Sequence, residues 1–184
     1  MNDFVHYFNI GRHHIADLRS LDHILLVTAL CIRYLFSDWK KVVILITAFT
    51  IGNVVAMILN VLNIVHLSTR WIEFLVPLSI IITAITNLFV KKFVYKHKYE
   101  PIYFLALLFG LIHGFGLVRR YTFIQLSAFN LGVEVGQLLI VVAILLLTFI
   151  CVNVFKANRR EYILFLSGGV LAVAMQMALQ RMPF

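Results

Sequence analysis

The chain has 184 residues, 62% of them hydrophobic, with 16 phenylalanines, a mean hydropathy of +0.96 and a formal net charge of +8. So much apolar side chain is more than a soluble domain can bury, which excludes a water-soluble globular protein and points to an integral membrane protein. The positive charge lies in clusters between apolar runs, where membrane topology already accounts for it, so it does not argue for nucleic-acid binding.

A hydrocarbon layer about 30 Å thick is crossed by roughly 20 apolar helical residues. Runs near that length recur at about 21–37, 42–65, 71–90, 102–118, 131–154 and 162–180. None shows the short alternation of barrel strands. The expected fold is therefore all-α, a polytopic helical bundle of about six transmembrane helices forming a single domain over 1–184. The opening "MNDFVHYFNIGRHHIADLRS" has no basic n-region, ordinary apolar core or small-residue cleavage site, so a removed signal peptide is not expected. Phe4, Val5, Tyr7, Phe8 and Ile10 instead predict a short interfacial segment. Cys31 and Cys151 fall inside spans and read as small buried hydrophobes, since two such cysteines build neither a disulfide framework nor a CxxC motif.

Polar groups inside spans are the informative positions, because each ionisable one costs about 2.5–3.5 kcal/mol on insertion scales. Span 1 opens with Asp22 and His23, preceded by His13, His14 and Asp17. Imidazole and carboxylate are ordinary ligands of divalent first-row metals, while Asp22 could equally cap its helix. In span 2, Thr50, Asn53, Met57 and Asn60 form one stripe, and in span 3 Ser79, Thr83 and Asn87 form another. Both read as interhelical hydrogen-bonding seams. Glu73 is expected to pair with Arg70 or to cap its helix. Span 4 carries "FGLIHGFG", which sets His113 among Gly110, Gly114 and Gly116 at a closely packed junction, as a ligand or as a hydrogen-bonding partner of a neighbouring helix. Span 5 opens with "FNLGVEVGQLL", placing Asn130, Glu134 and Gln137 on one helical face. "AFTIG" at 48–52 is echoed by "AFNLG" at 128–132, either by coincidence or through a three-plus-three repeat of inverted topology.

Lys40, Lys41, Lys91, Lys92, Lys96, Lys98, Lys156, Arg159 and Arg160 follow spans 1, 3 and 5. Arg12, Arg19, Arg70, Arg119, Arg120 and Arg181 lie on the other side, which puts both termini outside by the positive-inside rule. Trp39, Trp71, Tyr99, Tyr103, Tyr121 and Tyr162 fall at span ends as interfacial anchors. On this topology Asp22 and His23 begin span 1 at the outer face. His113 lies about 7.5 Å from the outer end of span 4, and Glu134 only about 5 Å into span 5. The shared depth predicts an outward-facing site.

The ordered motifs "GRHHI", "LDHILLVTAL", "ITAFTIGN", "IEFLVPLSIIITAITN", "FGLIHGFGL" and "FNLGVEVGQL" resemble the HupE/UreJ family over roughly residues 11–150. That family consists of six-span membrane proteins associated with nickel and sometimes cobalt uptake. The resemblance implies a divalent metal, Ni²⁺ or Co²⁺, as ligand or cargo without a covalent cofactor, held by His14, Asp22, His23, His113 and Glu134. Asn53, Asn87, Asn130 and Gln137 are the supporting polar residues. It implies a bacterial inner membrane, contact with the lipid bilayer, homo-oligomer or membrane-complex partners, and no enzymatic activity; no nucleophile motif or phosphate loop is present. One departure stands out: where the family usually reads Phe-Thr-x-x-His-Ser, this chain has "FTIGNV", with Asn53 in place of the imidazole. The alternative function is accordingly a transport-inactive accessory or scaffold subunit.

Overall fold

The structure, a computed structural model, describes residues 3–17, 21–65, 67–89, 101–116 and 122–183. Several charge and anchor positions named above lie outside these residues: Arg19, Lys91, Lys92, Lys96, Lys98, Tyr99, Arg119, Arg120 and Tyr121. The described chain is all-helical, with α1 (Asp3–Ala16), α2 (Leu21–Cys31), α3 (Trp39–Val61), α4 (Thr69–Phe89), α5 (Pro101–Phe115), α6 (Phe123–Phe149) and α7 (Arg159–Gln180). A 3-10 turn, Phe36–Asp38, leads into α3, and a π-helical turn, Ile150–Val154, extends α6.

Among the described residues, four stretches are long and apolar enough to cross a membrane: Phe36–Val61, Thr69–Phe89, Phe123–Val154 and Arg159–Gln180. Leu21–Cys31 and Pro101–Phe115 are apolar but short. At about 1.5 Å per residue, 11 and 15 residues reach only about 16 and 22 Å. Two boundaries differ from expectation for identifiable reasons. Helix α6 begins at Phe123, not near 131, because Thr122 and Gln125 form a capping box: the Gln125 backbone N–H donates to the Thr122 hydroxyl and the Thr122 N–H donates to the Gln125 side chain, at 3.5 and 3.0 Å. Helix α3 stops where Asn63 takes a left-handed φ of 54° and the Ile64 N–H returns to the Leu59 carbonyl.

Backbone contact at glycine organises the bundle. A Cβ at Gly52 would meet the Leu107 carbonyl oxygen at 2.1 Å, and one at Gly110 would meet that of Phe49 at 2.0 Å, so α3 and α5 run parallel in direct main-chain contact. The same arrangement joins α1 to α6: a Cβ at Gly132 would meet the Phe8 oxygen at 2.0 Å, and one at Gly11 that of Phe129 at 2.1 Å. The N-terminal segment, expected to lie on the membrane surface, is thus a helix docked lengthwise on α6.

The two pairs match residue for residue. Gly11 and Gly110 occupy equivalent places on α1 and α5, and Gly52 and Gly132 equivalent places on α3 and α6, within the echoed "AFTIG" and "AFNLG". Helices α3 and α6 are antiparallel, since Asn53 meets Asn130 while Thr47 meets Glu134. Helix α1 therefore runs opposite to its equivalent α5. Helices α4 and α7 complete the two units and pack on each other. The fold is an inverted pair, α1–α3–α4 and α5–α6–α7, in which the first helix of each unit docks on the second helix of the other. Helix α2 has no counterpart; it lies among α4, α6 and α7.

The main apolar core draws on α2 through α7, including Leu30, Leu45, Ile80, Ala106, Leu145 and Ala174. Toward one end of the bundle, buried Arg33 donates to Asn87 Oδ1 from Nε (2.9 Å) and Nη2 (2.6 Å), and the Asn87 amide donates to the Ala29 carbonyl at 2.7 Å. Arg159 closes that end by donating to the Arg33 carbonyl.

Candidate functional site

Toward the opposite end, a partly open cavity of about 180 Å³ is lined by His14, Asp22, His23, Ile72, Glu73, Val76, His113, Gly116 and Arg181. The last turn of α1 supplies His14, the first turn of α2 supplies Asp22 and His23, and the last turn of α5 supplies His113. Their rings form a chain. The centroids of His14 and His23 are 5.1 Å apart and those of His23 and His113 5.3 Å apart, both edge to face.

The inverted duplication extends into this cluster. His14 and His113 each stand three residues beyond their helix's docking glycine. His113 packs edge to face on Phe49 at 5.3 Å, and His14 lies 6.0 Å from Phe129 at a tilt. Phe49 and Phe129 are the equivalent phenylalanines of "AFTIG" and "AFNLG". Two imidazoles are thus presented from equivalent places in opposed units, and His23, on the unpaired helix α2, sits between them.

Hydrogen bonding prepares His113. Its Nδ1 lies 2.8 Å from the Phe109 carbonyl, an acceptor, so Nδ1 carries the proton and donates. Nε2 is left as the lone-pair nitrogen, and it is buried with no hydrogen-bond partner among the described residues. A backbone bond fixing the tautomer while the other nitrogen stays open is the usual preparation of an imidazole ligand.

Asp22 does not stand alone. Arg181, directly after α7, donates to both its oxygens, Nη1 to Oδ2 at 2.8 Å and Nη2 to Oδ1 at 3.3 Å. Glu73 lines the same cavity, and its expected ion pair with Arg70 does not form. Neither Arg181 nor Glu73 was singled out by motif. Glu73 could have been found from its helical face, three residues before Val76 on the wall of the cavity; Arg181 had no local signal.

Other expected residues lie elsewhere. Glu134 is eleven residues into α6, deeper than its expected place near the span end, and accepts a hydrogen bond from the Thr47 hydroxyl at 3.1 Å. It lines a separate crevice with Thr50, Val54, Ser127 and Asn130. Asn53 donates to Asn130 Oδ1 at 2.9 Å, Asn130 donates to the Leu126 carbonyl, and Thr50 donates to Gln137 Oε1 at 3.3 Å. These residues make a polar seam between α3 and α6. Asn87 belongs to the Arg33 end, and His13 faces outward. Among the described residues, no group of three or more His, Cys, Asp or Glu side chains yet stands in position to hold a metal ion.

A family model described as HupE / UreJ protein matches residues 1–181. The chain belongs to the HupE/UreJ family. It is an integral membrane protein, and its family covers metal transport and accessory roles. Curated proteins and solved structures give no match. Asn53, where the resemblance leads one to expect a histidine, turns its amide to the α3–α6 seam and does not line the histidine cavity.

Proposed function

We propose that this HupE/UreJ protein is a permease for a divalent transition metal, nickel or cobalt, and that His14, Asp22, His23 and His113 receive the ion. The observation that carries the reading is the convergence of three imidazoles from three helices on one cavity, with His113 Nε2 held as an open lone pair. Spacing agrees with it. Two imidazoles sharing one ion through nitrogens roughly 2.1 Å away, at about a tetrahedral angle, have centroids roughly 5 Å apart. The observed separations are 5.1 and 5.3 Å. Turning the ring nitrogens toward one another is what would make the cluster a coordination sphere.

The architecture supports transport. Inverted repeats with a substrate site at their interface, built on short or broken helices, are a transporter arrangement. Helix α1 reaches the site with its last turn and α2 with its first, so the two together serve as one crossing, while the last turn of α5 lies at the site. On this reading the bundle has six crossings, and Lys40, Lys41, Lys156, Arg159 and Arg160 near the Arg33 end support a cytoplasmic position for it, with both termini outside a bacterial inner membrane. The cavity then opens outward.

Asn53 and Val54 are what raise the alternative of an inactive scaffold; neither lines the histidine cavity, which favours the transport reading. The test is direct: purified protein is loaded with Ni²⁺ and bound metal is compared between parent and His23→Ala. The proposal predicts loss in the variant, and equal metal in both would end it.

A further inference from the structure

We infer that Arg181 is a tethered counter-ion that occupies Asp22 until an incoming cation displaces it, and so sets both the affinity of the site and the tie between α2 and α7. This inference rests on the metal-site reading above and deepens it.

Four observations carry it. First, both carboxylate oxygens of Asp22 are engaged by the guanidinium, at 2.8 and 3.3 Å. A forked pair of charge-assisted hydrogen bonds of this kind is stronger than a single contact between point charges. Second, the pair is partly shielded, the side chains of Arg181 and Asp22 being 32% and 18% exposed, so water screens the attraction only in part. Third, Arg181 lines the same 180 Å³ cavity as the three histidines. Fourth, it is anchored: its backbone N–H donates to the Met177 carbonyl at 3.1 Å, so the guanidinium reaches in from a fixed helix end.

Both cations draw on one carboxylate. A guanidinium has five donors, no acceptor, and does not lose its proton in proteins, so it cannot join a metal's ligands. While it holds Asp22, the cavity offers a divalent ion three imidazoles and Glu73, with a positive charge close by. Once it withdraws, Asp22 and Glu73 supply two negative charges to match two positive ones. An ion that binds Asp22 draws on the same carboxylate charge that holds Arg181, so its binding weakens the pair, and by reciprocity the pair weakens the ion's binding. Displacement also releases the end of α7 from the start of α2. Helix α7 packs on α4, whose Ile72 and Val76 form the cavity wall, so ion entry is coupled to the contact between the two inverted units.

A purely structural staple would have the opposite signature, because removing it would loosen the site and weaken binding. The experiment is calorimetric titration of the full chain in detergent with NiCl₂, alongside thermal melts. Its arms are the parent, Arg181→Gln, Arg181→Lys, Asp22→Asn, the Arg181→Gln/Asp22→Asn double variant, and His23→Ala as the control on the site itself. The expected result is that Arg181→Gln binds Ni²⁺ about tenfold more tightly than the parent, with Arg181→Lys in between. In the Asp22→Asn background the same Arg181→Gln change should alter affinity by less than about twofold, since the pair is already gone. Unchanged or weaker binding by Arg181→Gln, with His23→Ala still losing the metal, would overturn the inference and leave the site reading intact. Equal binding by parent and His23→Ala, or no binding by any arm, would instead overturn the site reading. If Arg181→Gln melts too early to titrate, Arg181→Lys decides: it breaks the fork but keeps the stem, and affinity no higher than the parent's counts against displacement.

Discussion

Gly110→Ala is the sharpest single-atom perturbation of this fold. A Cβ at that position would stand 2.0 Å from the Phe49 carbonyl oxygen, 2.9 Å from its carbon and 3.0 Å from the Asn53 nitrogen. A carbon–oxygen contact needs roughly 3.3–3.6 Å, and backbone cannot swing away as a flexible side chain can. Helix α5 must therefore withdraw from α3 by more than about 1 Å. Overpacking of this kind costs about 1–3 kcal/mol or more. His113 lies one turn along the same helix and moves with it, and misplacing a positioned group by about 1 Å costs up to roughly a hundredfold in function. Thermal unfolding in detergent and Ni²⁺ titration give the two readouts. Gly110→Ala should unfold earlier and bind Ni²⁺ at least tenfold more weakly. Gly132→Ala, whose Cβ would meet the Phe8 oxygen at 2.0 Å, should lose a similar amount of stability if the two interlocks are equivalent. Gly168→Ala is the control: nothing lies within 4 Å of its Cβ, and alanine is the better helix former by about 1 kcal/mol, so it should be no less stable than the parent. Parent-like stability and affinity for Gly110→Ala would refute the reasoning.

Three more outcomes are expected. Glu134→Gln should leave Ni²⁺ affinity within about twofold of the parent, because Glu134 lines a crevice separate from the histidines; a tenfold loss by calorimetry would restore it to the site. Asn87→Leu removes the acceptor of two Arg33 donor bonds and should cost about 1.5–3 kcal/mol or more in denaturant titration, without changing Ni²⁺ affinity in the folded fraction. Because a protonated imidazole cannot bind metal, acidification should release bound Ni²⁺, with proton uptake as the metal leaves; retention of the metal in strong acid would exclude a histidine site.

How much of this was legible in the sequence depended on distance along the chain. Apolar length revealed the membrane bundle, and glycine spacing around His113 revealed a close helix junction. The same spacing recurs at Gly132 and Gly136, and with Gly11 it marks the α1–α6 interlock; reading "GVEVG" as a contact motif would have shown that the N-terminal helix is docked. Its ordinary composition concealed this, since a helix held by backbone contact needs little apolar surface. The depth comparison put Glu134 with the histidines because α6 was started too late, and Thr122 with Gln125 was the overlooked capping signal. The faint "AFTIG" and "AFNLG" echo carried more than its three identities suggested, because each glycine supports the same backbone crossing. Arg181 could not be paired with Asp22 from sequence, since helical periodicity says which face a residue takes and nothing about a partner 159 residues away.

The central claim is that one ion is shared by imidazoles drawn from both inverted units. X-ray absorption at the nickel edge of the purified, Ni²⁺-loaded protein tests it most directly. Parent protein should show two or three imidazole nitrogens at roughly 2.1 Å with their outer-ring scattering, reduced in His14→Ala and in His113→Ala alike. A spectrum without imidazole scattering, or one unchanged in both variants, would contradict the account.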